Sequence, residues 1–399
     1  MKKILFLGAG FLQSYAIKTA RKLGYEVHAI DGSAGAVGFE DANFHATINI
    51  VDIESCLKYA KENNVDGVLS VATDYGVLGA SYISEKLGLP GNPLSVAKII
   101  KNKYQVRKEF YKYKVDDFDL AYEVDSKTEI EELSKKIRYP VMVKPVDGSG
   151  SRGATRVDEP HGLFLACQTA INNSISGKAE IEKFVAGVEY GAESLVLDGK
   201  TILIVLMKKL MTNPPYYAEL GHAIPSGLPT EFESKVKAII EHAIKVLGIV
   251  NGSVNMDLII SREGDVHIVD IGLRMGGNLI GSHIVPYGTG IEYLENLIRL
   301  SVDDPIAQEE KPHDSVATRL IVFEKTGIVN VLPDFSLIEE KFNVEIEENI
   351  KIGKRVHSYR NNLDGCGYIV CCRPEVSVAE RVVEEVLKYI QIYTLIVEE

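Results

Sequence analysis

Residues 251–278, NGSVNMDLIISREGDVHIVDIGLRMGGN, constrain this chain more than any other stretch. SVNMDLII reads as one strand, SREGD as a turn and VHIVDIGLR as the returning strand. A turn centred between Glu263 and Gly264 sets Asp257 opposite Asp270, their Cβ atoms roughly 4.5–5.5 Å apart on one sheet face. Two carboxylates that close repel each other unless a cation lies between them. Oxygen ligands that leave room for waters and phosphates suit Mg²⁺. Arg274 follows on the face of Asp270, placed to meet a phosphoryl group. A solvated hairpin with ordinary charges is the plainer alternative.

The first ninety residues alternate strand and helix. KKILFLGAG, YEVHAID and VDGVLSVA are strands; FLQSYAIKTARKLG, DIESCLKYAKENN and YGVLGASYISEKLG are helices, two of them stopped by Gly24 and Gly88. This rhythm predicts a parallel sheet with helices on both faces. The turn from Gly8 to Gln13 has part of a dinucleotide fingerprint, and Asp31 stands where a ribose-binding acid would. Gln13 at the third glycine position breaks that pattern and argues against a nicotinamide cofactor. Asp74 follows the third apolar strand; it either faces a small-molecule site at the strand ends or caps the next helix.

Pro90, Gly91 and Pro93 mark a boundary. In TEFESKVKAIIEHAIKVLG, Thr230 and Glu233 have capping-box spacing, and Gly248 ends the helix. ATRLIVFE and GYIVCC are expected strands of a smaller C-terminal α/β unit, with a late helix in SVAERVVEEVLKYI.

The 399 residues carry a net charge of −12 and no dense basic run, which argues against nucleic acid as a partner. No run of about eighteen apolar residues suggests a membrane span. Five cysteines without CxxC spacing fit neither a zinc site nor a complete disulfide framework, so a reducing cytoplasm is expected.

In RYPVMVKPVDGSGSRGATRV a strand delivers Lys144 into the glycine-rich run 147–153. Backbone N–H groups there, with the hydroxyls of Ser149 and Ser151, can approach an anion closely. No GK[ST] follows, so the loop is not a Walker A motif. A lysine bracketed by Val143 and Pro145 in an apolar strand needs an anionic partner.

A strand lysine, a glycine loop and, about a hundred residues later, a paired-acid hairpin resemble the ATP-grasp superfamily. The chain looks most like its carbamoyl-phosphate-synthase-like and carboxylate–amine ligase members. The resemblance runs from LFLGAG through KNKYQVRKEF, VMVKPVDGSGSRG and IEKFVAGVEY to IVDIGLRMGG. It implies an α/β chain in which a Rossmann-like parallel-sheet pre-ATP-grasp domain (residues 1–92) precedes an α+β ATP-grasp fold. The latter would span 93–305, with a mobile lid at about 115–195, and 306–399 would complete it.

By that resemblance, Lys103 and Lys144 contact ATP, and Gly148, Ser149, Gly150, Ser151 and Gly153 form a phosphate lid. Glu182 takes the adenine amino group, Phe184 and Val185 present backbone to the ring, Ile259 lies beneath it, and Glu189 reaches the ribose. Asp257 and Asp270 carry two Mg²⁺ ions, with Arg274 beside the transferred phosphoryl. Many members have Glu-x-Asn-x-Arg where this chain has Asp270, Gly272 and Arg274. Asn255, opposite Gly272 in the register above, is expected to supply the missing amide as a metal ligand; a water could instead fill the gap. Arg319, by family analogy, and His222, in the aromatic loop MTNPPYYAELGHAIPSGLP, are candidates with Asp74 for the substrate.

The function implied is an ATP-dependent ligase joining a small carboxylate or amino acid to an amine through an acyl phosphate; a homodimer is compatible with that resemblance. The alternatives are a nucleotide- or metabolite-binding protein without turnover and carboxyphosphate chemistry of the carbamoyl-phosphate or biotin-carboxylase type.

Overall fold

The computed structural model describes every residue except Asp117, Asp119, Leu120, Ser149, Ser151, Pro214, Pro215, Gln308 and Glu399. Strands β1 (Lys3–Leu7), β2 (Glu26–Asp31), β3 (Phe44–Thr47) and β4 (Gly67–Leu69) pair in parallel in the order β3-β2-β1-β4. The β1 residues Ile4, Leu5, Phe6 and Leu7 are all buried, as a strand covered by helices on both faces requires. The expected βα rhythm is therefore present. Beyond β4, Val71 makes a parallel bridge to Met275, and Ala72 N–H donates to the Met275 carbonyl at 3.1 Å. That join brings the end of the parallel sheet to the exit of the aspartate hairpin.

β5 (Tyr122–Asp125), β6 (Val141–Pro145), β7 (Thr155–Val157) and β8 (Lys178–Lys183) form a small antiparallel sheet in the order β5-β8-β6-β7, backed by the helix Leu163–Asn172. β9 (Gly187–Leu197), β10 (Lys200–Met211), β11 (Glu219–Ile224), β12 (Gly252–Ser261), β13 (Val266–Gly272) and β14 (Ser315–Leu320) belong to a large antiparallel sheet. Next along the chain come β15 (Gly327–Val331), β16 (Glu345–Glu348), β17 (Arg355–Val356), β18 (Gly367–Arg373) and β19 (Leu395–Val397). The large sheet runs β13-β12-β9-β10-β11-β14-β18-β16, and a separate trio runs β17-β15-β19.

Period-two alternation sorts β12 between two environments. Val254, Met256 and Leu258 are buried against Val236, Ile240 and Ile244 of the helix Thr230–Leu247. Asn255, Asp257 and Ile259 alternate with them and line a cavity on the other face. That helix does not begin as its sequence suggests. Pro229 occupies the cap position without a side-chain bond, and Glu233 accepts from the Ser226 hydroxyl at 3.2 Å, so Thr230 and Glu233 form no capping box.

The five cysteines are free. Among the described residues no helix is long and apolar enough to cross a membrane.

Candidate active site

One cavity of about 850 Å³ lies between the small sheet, the large sheet and the end of the parallel sheet. Its floor is the aspartate hairpin. Near the turn Ile260 pairs with Val266, Ile259 with His267 and Leu258 with Ile268, so the turn centres on Glu263 rather than between Glu263 and Gly264. Left unbroken, that register would set Asp257 against Val269. A bulge at Val269 adds one residue, and Asp257 faces Asp270 with Asn255 opposite Gly272, as the sequence predicts. The Val269 carbonyl accepts from Lys144 Nζ at 2.8 Å.

Each aspartate meets a lysine. Asp270 is bonded to Lys103, at the first turn of the helix Lys103–Tyr113, which Asn102 caps by accepting from Gln105 N–H at 3.1 Å. Burial would raise the Asp270 carboxyl, but Lys103 and Lys144 hold it below the usual carboxylate range. Asp257 accepts from Lys209 Nζ at 2.8 Å, and Lys209 also lies 3.7 Å from Glu219. Opposed carboxylates that already attract ammonium groups are a donor set that fits divalent cations.

Lys144 Nζ reaches Glu182 at 2.6 Å and Glu180 at 3.8 Å, with Arg107 Nε 3.6 Å from Glu182. Burial, then the charge of Glu182, pushes the Glu180 carboxyl up to about 7. The sequence requirement for an anionic partner of Lys144 is thus met from within the small sheet. Gly148 and Gly150 border the cavity beyond it; Ser149 and Ser151 lie outside the described residues, and Gly153 is not among the walls. Asp147 anchors this turn by accepting from Ser174, Ile175 and Ser176.

Phe184, Val185, Met142 and Ile259 are apolar walls of the cavity, and the Arg156 guanidinium sits 4.2 Å from the Phe184 ring centre. Glu189 faces the cavity nearby, its carboxyl raised to about 7 by burial, with Lys209 opposing and Asp257 and Glu219 adding to the rise.

Arg274 lines the same cavity. Its Nε lies 3.2 Å from Asp74 Oδ1, and its NH1 donates to Asn255 Oδ1 at 3.1 Å. Asp74 caps no helix: the helix Val77–Leu87 has Gly76 at its cap position without a side-chain bond. His222 is buried, with Nε2 2.6 Å from Glu219, and both line the cavity. Burial would raise Glu219, but Lys209 and His222 hold it well below the usual carboxylate range.

Arg319 is placed elsewhere. Its guanidinium bonds Glu384 at 2.6 Å and the Leu220 carbonyl at 3.3 Å, and it is not a wall of the cavity. The late helix Val376–Tyr393 supplies the acid that claims it. Lys209, Glu219 and Glu193 join the residues expected from the sequence. For Lys209 a signal existed: like Lys144, it sits within an apolar strand run, TILIVLMKKLM.

Residues 137–282 match the model of the ATP-grasp domain. A formate-dependent phosphoribosylglycinamide formyltransferase of Prochlorococcus marinus (strain MIT 9515) is 26% identical over 374 residues, which cover 88% of each chain. Two solved structures share the fold. An L-amino acid ligase from Bacillus licheniformis superposes with a TM-score of 0.84 at 18% identity, covering 100% of this chain and 99% of that one. A phosphoribosylglycinamide synthetase from Anaerococcus prevotii superposes with a TM-score of 0.78 at 21% identity over the whole of both chains. The stretch 137–282, which carries Lys144, Glu182, Asp257, Asp270 and Arg274, is thus similar to an ATP-grasp domain.

Proposed function

We propose that the protein is an ATP-dependent ligase that activates a small carboxylate or amino acid as an acyl phosphate and passes it to an amine. The observation that carries this reading is the Asp257–Asp270 pair sharing one cavity with Lys144, Gly148 and Gly150. The adenine would lie against the cavity walls Phe184, Val185 and Ile259, near Glu182, with Glu189 on the ribose. Lys103, Lys144 and the glycine turn would hold the phosphates. Two Mg²⁺ ions at Asp257 and Asp270 would neutralise charge on the β- and γ-phosphate oxygens. Lys103 and Lys209 would then exchange their aspartate partners for phosphate or substrate oxygens.

The substrate carboxylate attacks the γ-phosphorus and the bond to the ADP oxygen breaks, giving an acyl phosphate. The amine adds to the acyl carbon, phosphate departs, and the nitrogen loses its proton. Arg274 faces the region where negative charge builds and would stabilise it. Lys209, Glu219 and His222 form the polar end of the cavity and would orient the carboxylate substrate; Asp74 would act there through its pairing with Arg274. We assign residues 1–92 to a pre-ATP-grasp unit and 93–305 to the ATP-grasp unit, with a lid at about 115–195. Residues 306–399 would complete the latter.

The test is phosphate release from Mg·ATP across a panel of amino acids and small carboxylates, including formate, with Asp270→Ala as the blank. Stimulation by one acid, lost in the variant, is the expected result. Tight ATP binding without stimulation by any acid would favour a binding protein over a ligase.

A further inference from the structure

Gly272 is the departure from the family pattern, and the structure fills the space above it. A Cβ built on Gly272 would stand 3.2 Å from Arg274 Cζ and 3.4 Å from Nε and NH1, closer than ordinary contact. The guanidinium therefore lies folded over the backbone at the position where the family resemblance leads one to expect an asparagine side chain.

It is held there from both ends. Asp74 grips it from the parallel sheet, with Nε and NH2 at 3.2 and 3.3 Å. From the large sheet, Asn255 Oδ1 accepts from NH1, while Asn255 Nδ2 donates to Glu193 Oε2 at 3.0 Å. Glu193 is fully buried and also accepts from the Tyr293 hydroxyl at 2.7 Å and from Gly276 N–H at 3.1 Å. A Cβ on Gly276 would meet Asn255 Nδ2 and Glu193 Oε2 at 2.9 Å, so this junction also needs a glycine. Register explains the alignment: Glu193, Asn255 and Gly272 are directly paired across three adjacent strands, β9, β12 and β13.

Both polar ends of the Asn255 amide are thus occupied by protein. We infer that Asn255 and Glu193 are positioning residues that hold the Arg274 guanidinium over Gly272, and that Asn255 is not a metal ligand. This rests on the ligase reading of the same site and replaces the role expected for Asn255 from the sequence.

The two roles separate in kinetics. A ligand lost from a metal site raises the Mg²⁺ requirement, whereas a misplaced arginine lowers kcat at every Mg²⁺ concentration. The experiment measures Mg·ATP binding and acid-stimulated ADP release against free Mg²⁺. It uses the full chain as wild type, Asn255→Ala, Glu193→Gln, Arg274→Lys and Asn255→Ala/Arg274→Lys, with Asp257→Ala as the metal-ligand control. Expected for Asn255→Ala and Glu193→Gln is an Mg²⁺ half-saturation within about twofold of wild type and a kcat lowered ~10–100-fold, the usual cost of losing a group that orients a functional side chain. In the Arg274→Lys background, Asn255→Ala should add little, because residues acting through one another are not additive. A purely structural effect would add in full.

A roughly tenfold rise in Mg²⁺ half-saturation for Asn255→Ala, with kcat recovered at saturating Mg²⁺ as in the control, would overturn the inference. Full additivity with Arg274→Lys would also overturn it. If turnover is too slow to follow, the Mg²⁺ dependence of ATP binding decides: unchanged in Asn255→Ala and weakened in Asp257→Ala supports positioning, and weakened in both overturns it. Failure of wild type to bind Mg·ATP would remove the ligase reading itself.

Discussion

Two glycine-rich turns follow strands in this chain, and they do opposite things. In the first, Gly8 takes a φ of +107° and its N–H donates to the Ile30 carbonyl at 2.8 Å. Ala9 N–H goes to Asp31 Oδ2 at 2.9 Å, and Gln13 folds back to donate to the Val71 carbonyl at 2.9 Å. A Cβ on Gly10 would stand 2.8 Å from Gln13 Oε1, so glutamine occupies the concavity. The acid that a fingerprint would aim at a ribose is bonded to backbone instead. In the second turn Asp147, itself on the cavity wall, accepts from Ile175 N–H at 3.0 Å, and Gly148 and Gly150 border the cavity with Lys144. Gln13 fills the first turn, whereas Gly148 and Gly150 of the second border the cavity.

The largest expected effect tests the second turn. Lys144→Ala should lower acid-stimulated phosphate release by about 10²–10³-fold, the scale of losing one aimed cation or donor. It also strands the buried Glu180 and Glu182, so a lower melting temperature should accompany it. An unchanged rate would erase the functional difference between the turns.

The next effect concerns what ties the first turn to the rest. Helix Phe11–Lys22 carries Tyr15, whose hydroxyl bonds Glu347; His283 lies 3.6 Å from Glu347 and 3.4 Å from Glu345. Burial would lower the His283 pKa, but the two carboxylates push it up to about 9. A folded pKa above the unfolded value of about 6.5 means the contribution is fully present below that pH and lost as pH rises to about 9. Wild type should therefore lose on the order of 2 kcal/mol relative to His283→Gln between those limits. Parallel stability curves for the two proteins would contradict it.

Gly8→Ala should cost about 1–2 kcal/mol through its left-handed backbone while leaving Mg·ATP affinity untouched. Calorimetry on the variant would detect any loss of affinity, which would return the first turn to the site. Smallest is Thr230→Ala: with Pro229 at the cap, denaturant unfolding should shift by less than about 0.5 kcal/mol.

Much of the site was legible because it rests on local pattern. Strand alternation and a short turn put Asp257 opposite Asp270, although the turn lies half a residue off and the Val269 bulge restores the pairing. Lys144 stood out as a charge in an apolar strand. Lys209 carried the same signal, but nothing nearby in sequence names Asp257 and Glu219 as its partners. Arg319 shows the converse: its partner Glu384 lies 65 residues on, in a helix that pattern alone cannot dock. The Thr230–Glu233 spacing fitted a capping box, yet Pro229 already fixes the helix start and leaves Thr230 inside it. Asp74 was ambiguous because its partner, Arg274, is reached only through the Val71–Met275 bridge between sheets.

The most direct test of the two-turn account is amide hydrogen exchange of the full chain with and without Mg·ATP. Exchange should slow over residues 144–153 and 255–274 and stay unchanged over 8–13. Protection confined to 8–13, with 144–153 unaffected, would contradict it.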